Sequence, residues 1–476
     1  MKRSRRIYTL SPKNLSPETI AVTFAKTSRS PKPFDEIADE LTDERSARFH
    51  EKWVVGYGHA SVAEHAVLHL AMENVSRLAI EMIEGNRLAS YTEKSTRYQK
   101  WGKDAFYIPE ELRGHVLEED FKSICSQLFT TYLECIPNVE AWLQKSYPQK
   151  KDESEKGYTR RVQSSAADIC RFLLPASSLA NVGVTMNARA LEYAICKMLS
   201  SPLSEVRAIG ETLREVCRSE TPTLVKYAAC NEYLISIREK LRRYADSLPE
   251  DGYEDDFRLI SWDVDGEDRV LAALLFRFSK NRSYQFCLNF VRNLSKQDRK
   301  TLVSDLMDER GRFDQPLREF EYAQMAFEVV MDQGAYFEFK RHRMMTQTVQ
   351  PLTTELGFAV PKGIIESGCE EKYFSVMRKA ASLYGRLWAW NPDVASYIVP
   401  NGFNRRVLFT MNLREAFHFC HLRTAENAHF SIRRAALRIV ESIQRIYPLL
   451  GRYLEVPEGI TWQDMDEEYF YAIEVH

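Results

Sequence analysis

The side chains best equipped for chemistry stand in one run, Lys340-Arg341-His342-Arg343-Met344-Met345-Thr346-Gln347. Guanidiniums offer forked donors that match phosphate or carboxylate, and the imidazole between them adds a flat face and a titratable proton. The run follows a helical pattern over 335–340 and precedes a Thr/Gln-rich stretch expected to be a loop. Basic residues also suit the negative C-terminal end of any solvated helix, so the run needs support from its surroundings.

The elements around it supply that support, because they occur twice. Thr185-Met186-Asn187-Ala188-Arg189 and Thr410-Met411-Asn412-Leu413-Arg414 share T-M-N-x-R, and each introduces a helical pattern. Long amphipathic helices are expected next, over 203–216 and 425–446. Earlier in each half, 19–30 and 269–279 carry small and apolar residues at helical spacing, each after a strand-like segment at 6–10 or 258–262. Residues 64–72 lie over 321–329, each a strand leading into a short helix, and Gly85-Asn86-Arg87 then falls opposite Arg341-His342-Arg343. Repetition in matching order points to duplication. The acidic stretch 246–256, with Pro and Gly, reads as the linker between domains at 1–245 and 255–476, and 149–157 reads as an exposed insertion.

Charge and composition narrow the function. Sixty-five Lys and Arg against 67 Asp and Glu leave a net charge of -2, so no global basic field argues for nucleic acid and any anion site must be local. No apolar run is long enough to cross a membrane, and the basic start Met1-Lys-Arg-Ser-Arg-Arg lacks the apolar segment of a signal peptide, so a cytoplasmic protein is expected. Nine cysteines without a CxxC pair read as reduced thiols, none in a nucleophile's setting. Glu64, His65 and His69 have spacing that zinc could use, but no third spaced ligand follows, and no metal is expected.

Gly58-His59-Ala60-Ser61-Val62-Ala63-Glu64-His65, Ser76-Arg77 and the loop 89–98, together with the Arg-His-Arg run, resemble the flavin-dependent thymidylate synthases. The stretches from Arg171 through Asn187 and Arg189, and from Pro400 through Asn412, Arg414 and Arg423, extend the resemblance over most of both halves. It implies an α+β fold in two tandem copies, each a mixed sheet with long helices. Neither half carries the full signature. The first keeps Glu93, Ser95, Arg97 and Arg171 but has Gly85-Asn86 for Arg-His and Met198 for the substrate-contacting Arg. The second keeps Arg341, His342, Arg343 and Arg423 but has Val349, Pro351, Thr353 and Ser396 at the other positions. Because the family builds its sites between subunits, complementary losses imply one composite site per chain, with two chains forming a pseudo-tetramer.

Each residue then acquires an implied role. Ser95 offers a hydroxyl, Arg97 and Arg171 offer planar forks, and the turn 94–96 offers N–H groups; the resemblance assigns them the phosphate of dUMP. Glu93 either orders this loop, contacts the nucleotide or is a surface carboxylate. Glu338 replaces a family Gln that contacts the nucleotide, and a carboxylate accepts where an amide also donates. Arg341, His342, Arg343 and Asn412 are assigned to FAD, with His59, Ser61 and Glu64 adjacent. His418 is either a further flavin contact or a packing residue, and Arg414 is as suited to bracing the fold. Arg423 is the catalytic candidate, a guanidinium beside a uracil carbonyl that would stabilise charge as C5 becomes nucleophilic. The implied reaction uses NADPH to reduce FAD and methylenetetrahydrofolate as one-carbon donor, giving dTMP. Two alternatives are a flavoenzyme acting on another pyrimidine nucleotide and a flavin- or nucleotide-binding protein without turnover.

Overall fold

In each half the last strand inserts between the two that precede it. The computed structural model describes residues 6–56, 60–97, 99–249, 255–311 and 314–471. The first half runs α1 (Pro17–Thr27), β1 (Val67–Ser76), α2 (Arg77–Glu84), β2 (Ala89–Glu93), α3 (Glu118–Ser146), α4 (Glu155–Cys170), β3 (Leu179–Asn187), α5 (Ala188–Leu199) and α6 (Ser204–Glu220). The second runs β4 (Phe257–Trp262), α7 (Gly266–Phe278), β5 (Gln324–Asp332), α8 (Gln333–Phe339), β6 (Thr346–Val349), α9 (Glu370–Trp390), β7 (Asn404–Asn412), α10 (Leu413–Arg423) and α11 (Phe430–Ile446). The sheets are ordered β1-β3-β2 and β4-β5-β7-β6, and every strand pair is antiparallel. The fold is therefore α+β as expected, but the sheets are not mixed. The strands joined through α2, and those joined through α8, run parallel yet never touch, because β3 or β7 lies between them.

The repeated T-M-N-x-R is a strand end, a cap and a brace. Met186 and Met411 enter the core. Asn187 and Asn412 cap the following helices, their Oδ1 atoms accepting from Ala190 N at 2.9 Å and Glu415 N at 2.8 Å. Arg189 pairs with Glu64, and Arg414 pairs with Glu321 at 3.1 Å while donating to Pro316 O. A second repeated device lies deeper. Glu18 Oε1 accepts from Thr223 N and Leu224 N at 2.8 and 3.1 Å, and Glu267 Oε1 accepts from Leu449 N and Leu450 N, both at 2.7 Å. In each half a buried carboxylate on the first of these helices thus holds the chain just beyond α6 or α11.

Three expectations are corrected. Residues 6–10 form no strand: Ile7 is 89% exposed, and Arg6 and Tyr8 are instead held by Asp35. The Thr/Gln stretch expected as a loop is β6, an edge strand whose polar side chains hid its pairing with β7. The helix expected over 425–446 begins at Phe430, because residues 425–428 make a turn and His429, an uncommon capping type, receives Ser431 N on Nδ1 at 3.2 Å. The stretch 149–157 is exposed along most of its length, as expected, and its end is the first turn of α4, which Ser154 caps by accepting from Gly157 N. Part of the linker, 250–254, lies outside the described residues, and its end is tied down where Arg438 grips Asp256 through both oxygens at 2.7 and 2.8 Å.

The two halves share their packing. One core surrounds β5, β7, α7 and α11. The other joins the first sheet and α3 to side chains from 352–403, where Phe129 and Tyr132 belong to the same cluster as Tyr373 and Leu383 of α9. The halves also exchange backbone hydrogen bonds between repeat-related segments: Ala176 N to Val399 O and Asn401 N to Leu174 O, then Ser177 N to Tyr397 O and Gly402 N to Phe172 O, at 2.9 to 3.0 Å. Among the described residues no helix is long and apolar enough to cross a membrane.

Replacing Glu18 or Glu267 with Ala leaves two N–H groups without their acceptor, both buried at Glu18 and one buried and one half-buried at Glu267, and each variant is expected to lose about 3 kcal/mol of stability. Chemical denaturation followed by circular dichroism checks this, and equal losses would mark the two sites as structural equivalents.

Candidate functional site

A cavity of about 420 Å³ lies where the halves meet, and both supply its wall. The first half brings Arg77, the stretch Glu93 to Arg97, and Arg171; the second brings Phe337, Glu338, Arg341, Arg423 and the turn containing Asn427.

On the first side, β2 ends at Glu93 and the chain turns. Lys94 N donates to Asn181 O at 2.9 Å, and Ser95 Oγ accepts from Arg97 N at 3.2 Å. Arg97 is fixed by a fork on Asp168, Nε to Oδ1 at 2.8 Å and Nη2 to Oδ2 at 2.9 Å, while Nη1 reaches Asn427 O at 3.0 Å. Arg171 closes α4 and is 2% exposed, with Nη2 on Gly334 O at 3.0 Å. Gly334 has to be glycine, because a Cβ there would lie 2.9 Å from Asp332 Oδ1 and 3.4 Å from the Arg171 guanidinium. Arg77 pairs with Glu93 at 2.9 Å and lies 3.8 Å from the Phe337 ring centre.

On the second side a relay of polar groups aims Arg423. His342 Nδ1 lies 3.1 Å from Glu415 Oε1, and its Nε2 lies 2.9 Å from Arg423 Nε. Burial first, and then the charge of Arg423, hold this imidazole well below its ordinary 6.5. The neutral ring therefore donates from Nδ1 to Glu415 and accepts from Arg423 on Nε2. Arg423 Nη1 donates in turn to Glu338 Oε2 at 3.1 Å. Glu338 Oε1 is buried without a hydrogen-bond partner among the described residues, and it forms longer ion pairs at 3.8 Å with both Arg97 Nη1 and Arg171 Nη2.

The wall is strongly cationic. Arg77, Lys94, Arg97, Arg171, Arg341 and Arg423 face two carboxylates, Glu93 and Glu338. Burial pulls the Arg171 and Arg423 guanidiniums below their ordinary range, so an anion entering the cavity complements groups whose charge is otherwise costly. Arg341 is exposed and has no ion-pair partner among the described residues, and Arg343 lies 5.2 Å from the Tyr91 ring centre.

Of the candidate residues, Glu93, Ser95, Arg97, Arg171, Glu338, Arg341 and Arg423 come together here. Glu93 is no surface carboxylate: it is a buried partner of Arg77. His342 stands behind Arg423, its two ring nitrogens already engaged. Asn412 and Glu64 are engaged as cap and brace. Ser61 is exposed outside this wall, and His418 is exposed with its ring 5.5 Å from that of His342. His59 lies outside the described residues. His65 packs against Phe24, His69 bonds Thr185, and no group of three metal-ligating side chains occurs among the described residues.

Sequence reasoning gave no role to Arg77, Asp168, Phe337 or Asn427. Comparing the halves position by position offered a signal, since Arg77 aligns with Gln333 and Phe337 with Glu81. At the repeat-related place these partners hold a cation of the chain itself. Arg405 Nη1 donates to Glu81 Oε1 at 2.7 Å and Gln333 Oε1 at 2.9 Å, and Nη2 donates to Gln350 O at 2.6 Å.

Because His342 stays neutral when folded, its contribution to stability is complete above about pH 6.5 and is lost as pH falls, when the unfolded ring takes a proton that the buried ring refuses. Wild-type stability between pH 6.5 and 5 should fall more steeply than that of His342→Gln, by up to about 1.4 kcal/mol per pH unit. Denaturant titrations across that range check it.

The family described as "Thymidylate synthase complementing protein" matches twice, over residues 9–223 and 258–449. A "UPF0159 protein" of Chlamydia muridarum is 31% identical over 434 residues, covering 87% of this chain and 82% of its own, and one of Thermoplasma acidophilum is 29% identical over 450 residues, covering 87% and 89%. A "Flavin-dependent thymidylate synthase" of Clostridium tetani is 26% identical over 214 residues, covering 45% of this chain and 82% of its own. Relatives of the last kind thus match about half of the present chain.

Proposed function

The chain belongs to the flavin-dependent thymidylate synthase family, duplicated within one polypeptide, and on that premise we propose that it converts dUMP to dTMP with methylenetetrahydrofolate and NADPH. The observation that carries this reading is that one cavity is lined by the residues each half retains and the other has lost. Ser95, Arg97 and the turn between them receive the phosphate, with Arg171 beside them. Arg423, aimed by His342 and Glu415, meets a carbonyl of the base and stabilises the charge that develops as C5 becomes nucleophilic.

The residues present fit a flavin. Arg341 is an exposed guanidinium at the cavity wall with no ion-pair partner among the described residues, and Arg343 follows it, so the two would hold the anionic part of FAD. Bound there, FAD supplies the redox chemistry. Ser61 and His418 are exposed, whereas His342 serves by positioning Arg423. In this reading the enzyme is a cytoplasmic homodimer, a pseudo-tetramer of four folds with two composite sites.

Flavin-loaded protein given dUMP tritiated at C5, NADPH and methylenetetrahydrofolate should release label and form dTMP. Arg423→Lys should lower turnover about 100- to 1000-fold. Arg97→Ala should lose nucleotide and keep flavin, and Arg341→Ala should lose flavin. Absence of label release from protein shown to hold both flavin and dUMP would exclude the reaction.

A further inference from the structure

Helices α3 and α9 come from different halves and lie antiparallel, tied at seven-residue intervals. Lys372 Nζ donates to Glu134 Oε2 at 2.6 Å, Lys379 Nζ to Gln127 Oε1 at 2.8 Å, and Arg386 Nη1 to Asp120 Oδ2 at 2.7 Å. Continued to the start of α9, that register sets Cys369 against the turn of α3 between Cys135 and Asn138. The contacts agree. Asn138 Nδ2 donates to Cys369 Sγ at 3.6 Å, and the Cys135 thiol, one turn earlier on the same face, hydrogen-bonds the same sulfur. Both cysteines are buried, and the backbone of Cys369 is pinned, its N donating to Ile364 O and its O accepting from Tyr373 N, each at 3.0 Å. The repeat-related residues, Leu117 at the cap of α3 and Leu387 on α9, are apolar and buried in the same core, so packing alone does not call for sulfur here.

The two thiols are unlike. Cys369 is the N-cap of α9, a helix of 21 residues, and its neighbours Gly368 and Glu370 are exposed, so the sulfur lies just beneath the surface. Hydrogen bonds from Cys135, Ser367 and Asn138, with the charge of Lys372, bring its thiol down to about 6 against the effect of burial, which makes it a thiolate at neutral pH. Cys135 is held well above its ordinary 9, first by the bond to Cys369 and then by burial, so it keeps its proton. Burial pushes the neighbouring Cys170 up as well. A thiolate beside a protonated second thiol is equipped to be oxidised and then resolved. We propose that Cys369 and Cys135 form a reversible oxidation site that locks the two halves together. The Cys369 sulfur attacks hydrogen peroxide, its S–O bond forming as the O–O bond breaks, to give a sulfenic acid and hydroxide. The Cys135 sulfur then displaces the sulfenic hydroxyl, which leaves as water with the Cys135 proton, and a disulfide forms. Two thiols are thereby oxidised and one peroxide is reduced to two waters, and a dithiol reductant reverses the link by exchange. Nothing in the sequence joins the pair, since its members lie in different halves.

Peptide mass mapping of the full chain after treatment with hydrogen peroxide tests this, in a Cys230→Ser background that removes the exposed thiol. Two thiols should be lost, the peptides carrying Cys135 and Cys369 should appear linked and lighter by two hydrogens, and dithiothreitol should restore both. The linked protein should unfold at higher denaturant concentration than the reduced one, because the link closes a loop through both halves. Cys369→Ser should slow the loss of thiols at least about tenfold. Cys135→Ser should stop at a Cys369 sulfenic acid that dimedone captures, a product that a merely packed thiol would not give. Retention of both thiols under peroxide overturns the proposal, as does a link from Cys369 to Cys170. So do undiminished loss of thiols in Cys369→Ser and a linked protein that unfolds at lower denaturant than the reduced one.

Discussion

The site depends on the exchange of backbone hydrogen bonds between 172–177 and 397–402. Ala176 and Ser177 donate across to Val399 and Tyr397, and Asn401 and Gly402 donate back to Leu174 and Phe172. That pairing sets Arg171 at the edge of the second half, where Gly334 O and the missing Cβ of Gly334 receive its guanidinium. It also brings the loop after β2 to the turn at Asn427, so that Arg97 bonds both halves, through Asp168 on one side and Asn427 O on the other. Buried amides must find partners, and here they find them in the repeat-related segment, so the register between the halves is fixed by the same bonds that satisfy the backbone.

Around that junction the two copies have diverged in opposite directions. Where the first half has Arg77 facing Phe337 beside an open cavity, the second has Gln333 facing Glu81, and Arg405 fills the space with an internal ion pair. Where the second has His342 and Glu415 aiming Arg423, the first has Asn86 bonded locally to Ile83 O, and Ala190 and Met198 in the corresponding places, with Met198 buried in the core. One place answers buried cations with its own carboxylate and amides. The other leaves Arg171 and Arg423 against a single shared carboxylate, Glu338.

Much of this was legible in the sequence, because the duplication displays two solutions to one folding problem. T-M-N-x-R marked the start of a helix at the same place in both halves, and the complementary losses marked which residues would share a cavity, whereas Asn412, read as a flavin ligand, is the cap of α10. What could not be read were roles set by long-range burial. His342 looks like a ligand group in a basic run, but its place 73 residues before Glu415 and 81 before Arg423 makes it a positioning residue. Asp168 gave no local sign that it would hold Arg97. Strand β6 was hidden because an edge strand tolerates Thr and Gln that elsewhere mark a loop. The turn before α11 was hidden because a histidine caps it.

The most direct test of the account is the number of dUMP sites formed when chains carrying Arg97→Ala and chains carrying Arg423→Ala are unfolded together, refolded as mixed oligomers and titrated. Both residues line one cavity of one chain, so every chain in the mixture carries a damaged site, and the account predicts no more binding than either variant shows alone. Recovery of a fraction of wild-type sites in the mixture would mean that the halves complement each other between chains, and it would contradict a composite site built within one.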